Sequence, residues 1–262
     1  MQKMTLVKGI SLIAMVFSTA FAVAQKNAVE SRVYRWNELK VEKMETRERR
    51  QVLDGGTTHL DRLEIHTSAL EPGKSPHASH THTDEEELII VKEGKLKVTI
   101  KDKTETLGPG SIALALPGDE HGFTNGGDVP VTYYVIKYRA KAPVNVSRGN
   151  EAGGSFMMDW TTVAEKENEK GSRRNFFDHP TALTPRFEMH VTTLKEGLNS
   201  HAPHTHRPEE IILLIGGDAT MQIGDKREAA SVGDLVFLGS EVPHALSNTG
   251  KGSCSYFAFQ WQ

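Results

Sequence analysis

The sequence predicts an all-β protein in which one antiparallel sandwich or barrel is written twice, and three observations predict it. The 262 residues hold 23 glycines and 11 prolines but few aromatics, a supply of turns that suits short strands better than a helical bundle. Leu63, Ile65 and Thr67 alternate with Arg62, Glu64 and His66, the period of two of a strand with unlike faces. The chain also matches itself at an offset of 124 residues, Trp36 on Trp160, falling to 123 after one deletion.

The elements follow in chain order. Lys3 and Lys8 precede an uncharged apolar run, Gly9 to Ala24, that ends in Ala22-Val23-Ala24. A basic start, a short apolar centre and small residues at the end describe a cleaved export signal over residues 1–24. Sixteen residues also fall short of the roughly 20 needed to span a bilayer. The mature protein is therefore expected to be exported, periplasmic or secreted, and free of the membrane once the signal is removed. Residues 25–142 form the first unit, 143–155 a linker rich in Gly and Pro, and 156–262 the second unit. Strands are expected at Glu87–Val91, Lys95–Lys101, Ile112–Leu116 and Val131–Tyr138. The second unit repeats them at Ile211–Ile215, Thr220–Ile223, Leu235–Leu238 and Ser255–Trp261. The stretches 25–50 and 160–172 hold good helix formers and read as segments leading into each unit.

Charge and cysteine content narrow the function. A formal net charge of -3 offers no basic surplus for nucleic acid or an anionic membrane. The single cysteine, Cys254, rules out an internal disulfide and any Cys-rich metal site. What remains is a small-molecule partner, with room for a homodimer.

Histidine carries the chemistry. Ten of the 12 histidines pair across the repeat, all but His59 and His179, so their pattern is not composition. His80-Thr81-His82 meets His204-Thr205-His206, His121 meets His244, and His66 meets His190. On an extended chain two histidines at i and i+2 share a face roughly 7 Å apart, close enough to converge on one ion. A carboxylate follows in each half, from Glu85-Glu86-Glu87 or Glu209-Glu210. Three imidazoles and one carboxylate suit a divalent transition metal: Mn, Fe, Zn, Ni, Co or Cu, up to two per chain.

These residues resemble the two motifs of the cupin family, and the chain resembles a bicupin. The first motif is carried by Gly73, His80, His82, Glu87 and Gly94, and again by Gly197, His204, His206, Glu210 and Gly217. Its spacing to the last glycine selects Glu87 and Glu210 among the competing acids. The second motif is carried by Gly110, Pro117, His121 and Asn125, and by Gly233, His244 and Asn248, with Ser240-Glu241 where the first half has Pro117-Gly118. The resemblance implies two jelly-roll barrels, each with a metal in its mouth: His80, His82, Glu87 and His121 in the first, His204, His206, Glu210 and His244 in the second. It leaves the reaction open, since cupins include oxalate decarboxylases, quercetin-type dioxygenases, sugar isomerases, ureidoglycine aminohydrolases, lyases and non-catalytic binders.

The repeated Arg-x-Glu-x-His strand bears on that choice. If its polar face points inward, Arg62 and Arg186 are placed to hold a substrate carboxylate, and Glu64, His66, Glu188 and His190 to move a proton. The same face could equally be solvated or packed between units. Arg49-Arg50, repeated as Arg173-Arg174, is read first as a solvated pair; His77 and His201 are read as supports or alternative ligands. Lys137 meets Gln260, a departure from strict repetition. The polar face favours a non-redox metalloenzyme (hydrolase, isomerase or lyase) acting on a small carboxylate- or ureido-bearing or sugar-derived substrate. A quercetin-type dioxygenase and a non-catalytic binding module are the alternatives.

Overall fold

The computed structural model describes residues 28–262, so the export signal read over residues 1–24 lies outside the described residues. The first half contributes strands β1 (Arg32–Tyr34), β2 (Val41–Lys43), β3 (Glu48–Gly55), β4 (Leu60–Leu70), β5 (Glu86–Glu93), β6 (Leu96–Ile100), β7 (Lys103–Leu107), β8 (Ile112–Ala115), β9 (His121–Asn125) and β10 (Val131–Ala140). The second contributes β11 (Phe156–Met158), β12 (Glu165–Asn168), β13 (Gly171–His179), β14 (Phe187–Leu194), β15 (Glu209–Gly216), β16 (Ala219–Ile223), β17 (Lys226–Ala230), β18 (Leu235–Leu238), β19 (His244–Asn248) and β20 (Cys254–Trp261). A six-residue helix, α1 (Val146–Glu151), occupies the stretch read as a linker, its first turn capped by Asn145 Oδ1 accepting from Arg148 N at 3.0 Å. The segments rich in helix formers are strands with one short 3-10 turn each, Trp36–Glu38 and Trp160–Thr162. Cross-strand pairing overrides propensity there, with Arg174 on Glu165 at 2.7 Å and Lys43 on Glu48 at 3.5 Å.

Each barrel packs a seven-stranded sheet over a three-stranded one. The orders are β11-β8-β5-β10-β4-β3-β2 with β7-β6-β9, and β1-β18-β15-β20-β14-β13-β12 with β17-β16-β19. Central strands such as β5 and β10 read as nearly continuous apolar runs because both their faces are covered. One face closes the barrel over Ile89, Val91, Val98, Phe123 and Val135. The other carries Leu63, Ile65, Leu88 and Ile136 against Phe187, Met189, Phe257 and Phe259, so the two large sheets share one core.

The halves also trade strands. β1 pairs with β18 of the second sheet, Val33 opposite Val236, and β11 pairs with β8 of the first, Met157 opposite Ala113. The repeated tryptophans and glycines form one contact made crosswise. Gly110, at φ 81, lies under the Trp160 ring, where an added Cβ would come within 2.4 Å; Gly233, at φ 92, lies under Trp36, where it would come within 3.2 Å. Two buried carboxylates complete the exchange. Glu86 accepts from Leu183 N at 3.0 Å and from the Tyr138 hydroxyl, and burial pushes its pKa up. Glu209 accepts from Thr58 N at 2.7 Å and from Trp261 Nε1 at 3.1 Å.

Candidate metal centres and the polar wall beside them

Each histidine pair is fixed by pairing with the strand that supplies the third. His80 and His121 exchange backbone hydrogen bonds of 3.0 and 2.9 Å, and His204 and His244 exchange bonds of 3.2 and 3.0 Å, at the mouth of each barrel. Glu87 and Glu210 come from β5 and β15, on the faces that point into the barrels. The ligating atoms of His80, His82, Glu87 and His121 lie within 4.8 Å of one another, as do those of His204, His206 and His244. Glu210 completes the second group, its Oε2 being 3.3 Å from His206 Nε2 and 3.2 Å from His244 Nε2. The turn that shapes each mouth is kept despite the sequence change. Glu241 takes φ 60 where Gly118 takes φ 88, and their N–H groups donate to His206 O and His82 O at 2.9 and 2.7 Å.

The donor chemistry fits a divalent ion. His121 Nδ1–H donates to the Asp119 carbonyl at 2.9 Å and His244 Nδ1–H to the Val242 carbonyl at 2.8 Å. Both rings therefore turn an Nε2 lone pair toward a glutamate oxygen, 3.5 and 3.2 Å away, and both Nε2 atoms are buried without a hydrogen bond. Lone pairs facing a carboxylate across that gap call for a cation, and carbonyl support of the far ring nitrogen is the usual setting of a ligating histidine. Burial alone would raise the carboxyl pKa values, yet the surrounding imidazoles, with His82 and His206 in hydrogen-bond contact at 3.0 and 3.3 Å, hold Glu87 well below the usual carboxylate range and Glu210 at about 2. Burial, with His121 adding to it, depresses His80 to about 4, which keeps that ring neutral and ligating.

The Arg-x-Glu-x-His face points into the barrels. In the first, His66 Nδ1–H donates to Glu64 Oε1 at 2.8 Å, leaving Nε2 buried and unpartnered. In the second, His190 Nδ1–H donates to Glu188 Oε1 at 2.7 Å. A cavity of about 450 Å³ in the second barrel is lined by Glu188 and His190 together with His204, Glu210 and His244. Dyad and ligand cluster thus share one wall. Glu64 would be raised by burial, but His66, Lys137 and Gln51 pull it down to about 2; burial lowers His66, which stays neutral against the pull of Glu64.

The arginines are placed differently from the expectation. Arg62 is tied to both oxygens of Asp54 at 2.9 Å, and Arg186 to those of Asp178 at 2.7 and 2.9 Å, at the strand ends. Arg49 and Arg173 reach the dyads instead, at 2.7 Å from Glu64 Oε1 and 2.8 Å from Glu188 Oε1. Their repetition was visible, but which member of each pair faces inward was not. Arg50 and Arg174 lie over Trp36 and Trp160. His77 and His201 pack edge-on against His80 and His204, ring centroids 4.4 and 4.0 Å apart. The three consecutive acids separate cleanly: Glu87 joins the histidines, Glu86 the core between barrels, and Glu85 pairs with Arg62 at 3.4 Å.

The family described as Cupin domain matches this chain twice, over residues 66–137 and 190–259. Comparison with curated proteins finds no match. Similar solved structures include AerE from Microcystis aeruginosa, 17% identical over 86% of this chain and 97% of that one, with a TM-score of 0.65. A formate complex of Lactobacillus farciminis oxalate decarboxylase is 15% identical over 88% and 86%, with a TM-score of 0.68. A putative glyoxylate induced protein from Pseudomonas aeruginosa is 15% identical over 93% of both chains, with a TM-score of 0.69. At these identities the likeness is one of fold.

Proposed function

Because this chain belongs to the cupin family, with two barrels and a histidine–glutamate cluster in each, we propose that it is a divalent-metal-dependent enzyme of non-redox type. Its reaction is hydrolysis, isomerisation or elimination on a small polar substrate bearing a carboxylate or ureido group or derived from a sugar, carried out in an extracytoplasmic compartment after the signal is removed. The observation that carries this reading is the Glu–His dyad beside the ligand cluster, made twice. His80, His82, Glu87 and His121, and their repeats His204, His206, Glu210 and His244, would hold the ions. A bound ion supplies Lewis acidity toward a carbonyl or carboxylate oxygen.

The protein's own groups do the rest. In the second barrel His190 offers Nε2 as a base, because its Nδ1–H is committed to Glu188. Glu188, paired with Arg173 at 2.8 Å, orients that ring and stabilises the imidazolium formed when Nε2 takes a proton. The cavity is wide enough for a small organic acid, with Ile212, Met221 and Leu246 supplying an apolar side to an otherwise polar lining. The test is turnover by the metal-loaded mature protein on panels of small carboxylates, ureido acids and sugar acids, with and without oxygen. Equal turnover without oxygen, lost in His66→Gln and His190→Gln variants that keep their metal, is the expected result. Turnover that needs oxygen and ignores both histidines would overturn the reading in favour of a dioxygenase.

A further inference from the structure

The two barrels are unequal, and the differences fall on the wall that carries the dyad. Lys137 lies in register between Glu64 and Glu87; Gln260 lies between Glu188 and Glu210. Gln260 is neutral, and its amide donates to Glu210 Oε1 at 3.3 Å. The Lys137 ammonium instead makes one ion pair, 3.5 Å from Glu64 Oε2, and donates no hydrogen bond among the described residues. Arg47 stands where the repeat has Gly171, and its guanidinium reaches Ser68 Oγ at 3.5 Å. Lys170, at the mouth of the second barrel, donates to the Asn199 and Ser200 carbonyls at 3.0 and 2.7 Å. The first barrel thus sets two cations, Arg49 and Lys137, on the single dyad carboxylate Glu64, with a third, Arg47, further along β4 at Ser68. The same wall holds buried atoms that make no hydrogen bond among the described residues: Glu64 Oε2, which meets only the Lys137 ammonium at 3.5 Å, His66 Nε2 and the Tyr133 hydroxyl.

Such a wall calls for a particular ligand. Surplus cation charge asks for an anion, and a neutral imidazole whose Nδ1–H is already used asks for a hydrogen to accept. We propose that Lys137 makes the first barrel selective for small carboxylates that carry an O–H or N–H next to the carboxyl group. The carboxylate meets Lys137 and the adjacent hydrogen meets His66 Nε2. The second barrel, with Gln260 in that place, does not select for charge. This rests on the reading in which each dyad shares its barrel with a metal.

Glycolate and its neutral amide, glycolamide, test it by calorimetry on the metal-loaded mature protein. Wild type is expected to hold one site per chain that prefers glycolate by about 10- to 100-fold, the range of one charge-assisted contact. Lys137→Gln should reduce that preference to about 3-fold or less with metal content unchanged, and Lys137→Arg should keep it. Gln260→Lys should create a second glycolate-selective site, which decides the matter even where Lys137→Gln does not fold. Equal binding of acid and amide by wild type, or a preference that survives Lys137→Gln, overturns the proposal. Failure of the enzymatic reading shows separately, as dyad variants with unchanged turnover on a protein that still prefers glycolate.

Discussion

Replacing Glu64 by Gln should destabilise the protein far more than the same change at Glu188, although the two are repeats of one position. Glu64 is 1% exposed and accepts from Arg49 at 2.7 Å, His66 at 2.8 Å and Gln51 at 3.2 Å, with Lys137 at 3.5 Å. Its pKa falls from 4.5 to about 2, equivalent to about 3 kcal/mol of stability at neutral pH. A carboxyl group whose folded pKa is depressed contributes that stability fully above its unfolded value. The contribution is therefore present above pH 4.5 and lost as the pH falls toward 2. Glu188 has the cation Arg173 and the ring of His190, and the Arg173 side chain is 43% exposed, so screening by water limits that pair to about 1 kcal/mol. Urea unfolding at pH 7 should show Glu64→Gln costing about 3 kcal/mol and Glu188→Gln about 1. Near pH 3 the gap between wild type and Glu64→Gln should narrow. Both variants should retain their metals, since neither residue is a ligand. Equal costs at the two positions, or a gap that does not change with pH, would refute the account of Glu64 as the hub of the wall.

Three further outcomes follow from the same geometry. The mature protein should carry two metal ions per chain; His206→Ala should leave one by elemental analysis, and chelation should lower Tm because the ions bind the folded state. Gly110→Ala should cost about 2–5 kcal/mol, since its Cβ meets the Trp160 ring at 2.4 Å; Gly233→Ala, at 3.2 Å from Trp36, should cost about 1–2, mostly the left-handed backbone penalty. Equal melting shifts in the two would refute the crosswise contact as described. Mass spectrometry of protein from its native host should find Gln25, free or cyclised, as the first residue; an intact Met1 on cytoplasmic protein would refute export.

What the sequence made legible, and what it hid, divides along a physical line. Period-two patterning exposed the Glu64–His66 face because alternation is a property of one strand and needs no neighbour. The His80-His82 and His204-His206 pairs were legible for a similar reason, their spacing being local, whereas Glu87, Glu210, His121 and His244 were legible through the repeat and the motif resemblance. The same alternation separates Glu86 from Glu87, adjacent side chains on β5 that point to opposite faces, while Glu85 precedes the strand and pairs with Arg62. Partner choice between strands was hidden. Parity alone put Arg62 on the dyad face, which is where it lies, but at the strand end beside Asp54. The arginine that reaches Glu64 comes from β3, whose register shifts between Gln51 and Leu53. A bulge of that kind leaves no mark in the pattern of the strand opposite. The exchange of β1 and β11 was hidden too, because three-residue strands are too short to show a period.

The strand exchange bears on how a duplicated site could become two different ones. Trp36 sits on Gly233 and Trp160 on Gly110, while Glu86 and Glu209 hold loops of the opposite half. Each barrel is therefore completed by residues of the other, and a change in any of these contacts disturbs both sites together. The inner walls are under no such constraint. Among the described residues the ion pair of Lys137 and the hydrogen bonds of Gln260 and Arg47 stay within their own halves, so these positions can differ while the eight candidate ligands and the shared core stay the same. Divergence on such a frame is confined to the few side chains that meet a ligand. That is where the two halves of this chain differ in charge.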